Sequence, residues 1–277
     1  MSGDPGSGVL ARILTQAARA LRPDPKAALQ RRVAEEFDRG SELPQPGFPA
    51  RLQLPPGFGK GLPERVVELL IARSSYAPGL TVLDVGHAYA EQSHLHMLRS
   101  LPEPRRLTGI DIASPQYDTA PYYRESLLDD ITRSAVPAGS FDLIWCISAL
   151  EHFGMDNSNY TARFDRAAGQ DALAFAEMIR ILVPGGTLVV TVPYGRYEDH
   201  GSFKNYDAQR WQELLAAARP KGRVRELYFR HTFGSGWAQT EPRELPFVGY
   251  YDQANAGAGA IAVAHLTKQA TAAGGPA

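Results

Sequence analysis

The chain of 277 residues is long enough for one large core, or for one domain with an appendage. Its 29 basic and 30 acidic residues nearly cancel, which argues against a nucleic-acid surface or an anionic membrane as partner. The single cysteine, Cys146, excludes an intramolecular disulfide and a cysteine-based zinc cluster, and no apolar run reaches the ~20 residues of a membrane span; a cytoplasmic globular protein is expected.

The opening MSGDPGSG is small and polar and reads as disordered. Val9, Leu10, Ile13, Leu14, Ala17 and Leu21 fall on one helical stripe, and a second helix is predicted from Pro25 to Phe37. Pro- and Gly-rich sequence from Leu43 to Gly61 reads as an extended connector. Its GFGKG run is a turn rather than a phosphate loop, because no strand precedes it and Gly61, not Ser or Thr, follows Lys60. Residues 1–62 are thus expected to form an N-terminal helical extension and connector, acting as a lid or touching a partner.

From residue 63 to 268 the pattern is regular. Helices are predicted over Glu64–Arg73, Ala88–Ser100, Ala167–Leu182 and Tyr206–Arg219. Strands are predicted over Leu80–Val85, Arg106–Ile112, Phe141–Ile147, Gly186–Val192, Val224–Arg230 and Ala260–Thr267. Strands alternating with helices imply an α/β fold with a largely parallel, twisted sheet covered on both faces. The last two strands have no helix pattern between them, so a final antiparallel strand is expected. Residues 269–277 read as a disordered tail.

In such a sheet, ligands lie beyond the carboxyl ends of the strands where strand order reverses. Asp84 and Gly86 sit at the first such end, and Asp111 and Ile112 close the second strand. A carboxylate there can accept hydrogen bonds from both hydroxyls of a ribose. The first turn separates the candidate cofactors. A dinucleotide needs a G-x-G-x-x-G backbone, whereas this frame reads G-H-A-Y-A-E, and Glu91 would oppose a pyrophosphate at a helix N-terminus. The acid at Asp84 suits a ligand with a positive amino group instead.

The motifs V-L-D-V-G (82–86), G-I-D-I (109–112), Leu128-Asp129-Asp130, S-F-D-L-I-W-C (140–146) with A-L-E-H-F (149–153), and R-I-L-V-P-G-G-T-L-V-V-T-V-P (180–193) come in that order. Together they resemble the class I S-adenosylmethionine-dependent methyltransferases, of the small-molecule type, and span roughly Glu64 to Pro193. The resemblance implies a Rossmann-like methyltransferase fold and S-adenosylmethionine as cofactor. It also implies Asp84 and Gly86 at the methionine end and Asp111 at the ribose hydroxyls, with His87, Ala88 and Ile112 among the cofactor contacts. Asp129 or Asp130 would approach the adenine amino group, and the segment from Cys146 would run beneath the sulfonium. Ala88 and Ala90 depart from the usual glycine-rich turn, which leaves a catalytically silent, methyltransferase-like binding domain as the alternative function.

Loops after the later strands would carry the acceptor, an oxygen or nitrogen of a polar small molecule such as a sugar or specialised metabolite. Tyr194, Tyr197, His231 and Trp237 are the expected substrate contacts. His152 and His200, the latter flanked by Glu198 and Asp199, are the candidate bases for a hydroxyl acceptor. His94 and His96 are two apart on a predicted helix and do not form a chelate; no metal is expected. No nucleic-acid or membrane partner is expected, and a homodimer is compatible with the sequence.

Overall fold

The computed structural model describes residues 24–42, 51–52, 54–161, 166–253, 255 and 257–270. The helix expected at Val9–Leu21, part of the connector and the stretch 271–277 lie outside them. Five helices are described: α1 (Pro25–Ser41), α2 (Arg65–Ser75), α3 (Gln92–Ser100), α4 (Gln170–Ile181) and α5 (Ala208–Ala218). The strands are β1 (Thr81–Val85), β2 (Arg106–Asp111), β3 (Glu125–Leu128), β4 (Phe141–Ile147), β5 (Leu182–Pro193), β6 (Glu198–Asp199), β7 (Lys204–Asn205), β8 (Gly222–Thr232), β9 (Gly236–Thr240) and β10 (Ala260–Lys268).

Eight strands form one sheet in the order β3-β2-β1-β4-β5-β10-β8-β9. Strands β1 to β5 pair in parallel, and β10 lies antiparallel between β5 and β8. The chain leaves β1 outward through β2 and β3, then returns to pair β4 against β1 on its other side. The carboxyl ends of β1 and β4 therefore flank the point where strand order reverses, the place such sheets offer to a ligand.

The continuous apolar run of β4 follows from burial on both faces. Leu143, Trp145 and Ile147 face α1, α2 and α3, packing with Phe37, Val66, Leu70 and Leu98. Ile144 and Cys146 face α4 and α5, with Phe175, Met178, Trp211 and Leu215. Among the described residues no helix is long and apolar enough to cross a membrane.

Among the differences from the sequence expectation, three concern whole elements near the site and its flanking loops. The helix predicted from Ala88 begins only at Gln92, because a 3-10 turn at His87–Tyr89 ends in extended backbone at Glu91. Strand β3 escapes a hydrophobic-periodicity reading, since its four residues are mostly exposed. The loop expected between the last two strands contains β9, which doubles back on β8 through a turn with left-handed glycines at Gly234 and Gly236.

Candidate functional site

Strand β1 ends in Gly86, whose φ of +87° is open to glycine and costly for other residues. A β-carbon there would also stand 2.5 Å from the Ala149 methyl, so the turn after β1 lies directly against the turn after β4. The next turn, His87–Tyr89, is held by Asp111 at the end of β2. Asp111 Oδ2 accepts the Ala88 N–H at 2.9 Å, and Oδ1 accepts the Ala113 N–H at 2.9 Å. Burial raises the Asp111 carboxyl above its ordinary range, with those backbone donors opposing the rise. The carboxylate remains half-buried, and each oxygen keeps acceptor capacity for a hydroxyl.

Other residues expected at the cofactor have different tasks. Asp84 is 2% exposed, and its Oδ2 accepts from His94 Nε2 at 2.8 Å and from the Tyr123 hydroxyl at 2.6 Å. Burial pushes this carboxyl up, but His94 and Tyr123 outweigh it and hold Asp84 below its ordinary range. It is thus turned into the protein rather than toward a ligand. His87 is also buried: its ring covers Gly109, where a β-carbon would sit 2.4 Å from it, and Nε2 lies 2.5 Å from Ser126 Oγ. Asp130 caps the short turn Ile131–Arg133 and pairs with Arg133 at 3.2 Å, whereas Asp129 is exposed and its N–H donates to the Asp111 carbonyl. Ile112 is half-buried beside Asp111, and Cys146 is fully buried, its thiol pushed up by burial.

A group of charges absent from the sequence reading lies at the carboxyl ends of β4 and β5. Glu68 of α2 is 0% exposed, and its Oε1 accepts from Ser148 Oγ and Thr191 Oγ1, both at 2.7 Å. Its Oε2 has no hydrogen-bond partner and lies 3.5 Å from Arg65 Nη1. Ser148 holds φ of +45°, an uncommon conformation for a residue with a side chain. Glu151, 3% exposed in the turn after β4, has Oε2 buried without a partner. Burial pushes its carboxyl well above the ordinary range. Only packing reveals this group, because each acid sits in an ordinary-looking amphipathic or turn segment.

Glu64, at the start of α2, closes the group. Its Oε2 accepts the Ala258 N–H at 2.7 Å, and its Oε1 is 3.4 Å from the Tyr250 hydroxyl. Burial, and then the charge of Glu68, push it from 4.5 to about 7. The folded state therefore binds this proton more tightly than the unfolded chain does. Its contribution to stability is complete below pH 4.5 and is lost as pH rises toward 7. Glu64→Gln is expected to reduce the fall in unfolding free energy over that window by up to ~3 kcal/mol, read from denaturant titrations at a series of pH values.

Both candidate bases stand near this group. His152 Nδ1 is 2.7 Å from the Ser202 carbonyl oxygen, which can only accept, so Nδ1 carries the proton and Nε2 keeps a lone pair. Burial lowers the His152 pKa, the Ser202 bond opposes that, and the Arg65 charge adds to it. His200 stacks on Phe203 with centroids 4.6 Å apart and touches Tyr250 and Tyr251, each at 5.5 Å. Its Nε2 is 3.5 Å from Glu198 Oε2 and has no hydrogen-bond partner.

The four expected substrate contacts are otherwise occupied. Trp237 Nε1 donates to the Leu62 carbonyl at 3.0 Å, and His231 Nε2 accepts the Gly61 N–H at 3.2 Å; both pin the connector to β8 and β9. Tyr194 is buried on the α4–α5 face, its ring 5.0 Å from that of Tyr228. Tyr197 lies beneath the Arg210 guanidinium, 3.6 Å from its ring centre. The aromatic residues beside the acidic group are instead Phe203, Tyr250 and Tyr251.

Residues 83–190 match a family model described as a methyltransferase domain. No curated protein matches the chain. Similar solved structures include the Burkholderia thailandensis 1,6-didemethyltoxoflavin-N1-methyltransferase, at 14% identity over 73% of this chain and 77% of that one, with a TM-score of 0.48. The [4+2]-cyclase SpnF is 19% identical over 75% and 81%, with a TM-score of 0.47. The N-methyltransferase NodS from Bradyrhizobium japonicum is 20% identical over 74% and 95%, with a TM-score of 0.45.

Proposed function

We propose that the chain, whose residues 83–190 match a methyltransferase-domain model, is a class I S-adenosylmethionine-dependent methyltransferase that transfers a methyl group to an oxygen or nitrogen of a polar small molecule, with a sugar or specialised metabolite as the acceptor class. The observation that carries this reading is Asp111. It is a half-buried carboxylate at the end of β2, bonded to the turn after β1, at the reversal of strand order.

The residues fit the cofactor. Asp111 would accept from the ribose hydroxyls, and exposed Asp129, next to it, would meet the adenine amino group. Arg65, 3.5 Å from the Ile147 carbonyl, is the cation placed to meet a carboxylate at the carboxyl end of β4. Bound there, S-adenosylmethionine supplies an electrophilic methyl carbon. The chain's own contribution is alignment, exclusion of water, and proton removal from the acceptor by His152 Nε2. Balanced charge favours a small molecule over a nucleic acid as acceptor.

Calorimetric titration with S-adenosylmethionine, with NAD as control, tests the reading. The wild type is expected to bind the former, and Asp111→Ala to weaken it at least about tenfold, as loss of charge-assisted hydrogen bonds does. No binding at millimolar concentration would overturn the assignment. One observation favours the second reading, a silent binding domain: the His87 ring and the buried Ala88 methyl fill the turn where glycines would leave room. That reading predicts cofactor binding without turnover of any acceptor.

A further inference from the structure

The first N–H groups of a helix have no partner within it and need acceptors from elsewhere. In α3 the residue placed to cap is Glu91, yet its side chain makes no cap hydrogen bond. The acceptor comes instead from α1, 61 to 63 residues earlier. Gln30, 4% exposed, accepts the Ser93 N–H at 3.2 Å and the Ser93 hydroxyl at 2.7 Å, both on Oε1. Its Nε2 donates to Glu91 Oε2, and Lys26 Nζ stands 3.5 Å from Glu91 Oε1. One buried carboxamide therefore uses both of its ends, the donor on the capping residue and the acceptor on the first turn of α3. His94, next in that turn, is held by Asp84 of β1.

We propose that Gln30 is a positioning residue for the cofactor, acting through Glu91 and Ser93 on the turn after β1. This rests on the methyltransferase reading above and gives α1 a task in it. Only His87–Tyr89, Ala90 and Glu91 separate Gly86 from α3. Asp111 fixes the entry of this turn through the Ala88 N–H, and Gln30 fixes its exit through Glu91 and Ser93. A backbone fixed at both ends meets a ligand without being ordered at the moment of binding, and that ordering would otherwise subtract from affinity. Lys26 and Gln30 engage both oxygens of Glu91, so this carboxylate faces α1. One turn further along α3, His96 Nε2 lies 2.8 Å from Asp38 Oδ1 and its ring meets Phe37 edge-on, with centroids 6.1 Å apart, so α1 is itself anchored. The residue type matters: a carboxamide can accept from Ser93 and donate to Glu91 at once, whereas an ionised carboxylate can only accept.

The test is calorimetric titration with S-adenosylhomocysteine, at a temperature where every variant is folded. Gln30→Met keeps the length of the side chain without its hydrogen bonds, and Gln30→Glu sets a second carboxylate against Glu91. Each is expected to weaken binding about tenfold. Gln30→Glu combined with Glu91→Gln restores the match with the donor on the other side, and should return the affinity to within about threefold of wild type. Where Gln30→Glu alone does not fold, Gln30→Met and the double variant carry the comparison. A glutamine that only caps a helix would lower the denaturation midpoint of Gln30→Met and leave the affinity of the folded protein unchanged. That result overturns the inference, and so does a double variant that binds no better than Gln30→Met. Failure of the wild type to bind S-adenosylhomocysteine would instead remove the methyltransferase reading, and this inference with it.

Discussion

His94→Ala is expected to lower the unfolding free energy by about 1–3 kcal/mol at neutral pH, the usual cost of leaving a buried hydrogen-bonding group short of a partner. Asp84 is 2% exposed and its Oδ2 has His94 and Tyr123 as partners, so deletion of the imidazole leaves the buried carboxylate with the Tyr123 hydroxyl alone. The sign of the pH dependence follows. Asp84 is held below its ordinary range in the folded state, so its stabilisation is present above the unfolded value and is lost as pH falls through the folded one. The difference between His94→Ala and wild type should therefore shrink in acid, where Asp84 is protonated in both. Chemical denaturation at neutral and acid pH measures it; a loss below about 1 kcal/mol at neutral pH would mean that solvent or another donor replaces His94. His94 sits on α3 and Asp84 on β1, so this pair also ties the helix to the strand that carries the Gly86 turn.

The same pair shows what was legible in the sequence. The positions of Asp84 and Asp111 at the ends of β1 and β2 are legible in the sequence, because strand ends and the period of the apolar residues are local properties. The partner of Asp84 is not local in that sense. His94 is ten residues on, but Tyr123 lies 39 residues away and arrives through the folding of the β2–β3 connection. The acidic group is harder still. In "RVVELLIARSS" the Glu68 position reads as the polar stripe of an amphipathic helix, and only packing sets it between Ser148 and Thr191, 80 and 123 residues away. Trp237 and His231 misled for the opposite reason. Aromatic and imidazole side chains in a glycine-rich stretch look like pocket walls, but β9 pairs with β8 there and turns both toward the connector. Periodicity could not anticipate that, whereas the glycine-centred turn at 233–235 was a hairpin signal in plain view.

His152→Gln is expected to lower kcat by about 10²- to 10³-fold with KM little changed, within the range that a positioned general base contributes. The Ser202 carbonyl fixes the proton on Nδ1 and leaves Nε2 as the lone pair, and burial lowers the pKa so that the neutral ring persists below the ordinary histidine range. Activity should accordingly rise with pH through a limb below that range, and the limb should vanish in His152→Gln, which can still donate to Ser202 but cannot take a proton. The acceptor's charge decides how much this matters. A neutral amine already has the lone pair that attacks carbon, and would need no base. An acceptor that arrives protonated has none until a proton leaves it, and His152 Nε2 would take that proton. A kcat–pH profile in which the acid limb survives His152→Gln would move that role to His200, whose Nε2 also lies buried without a hydrogen-bond partner.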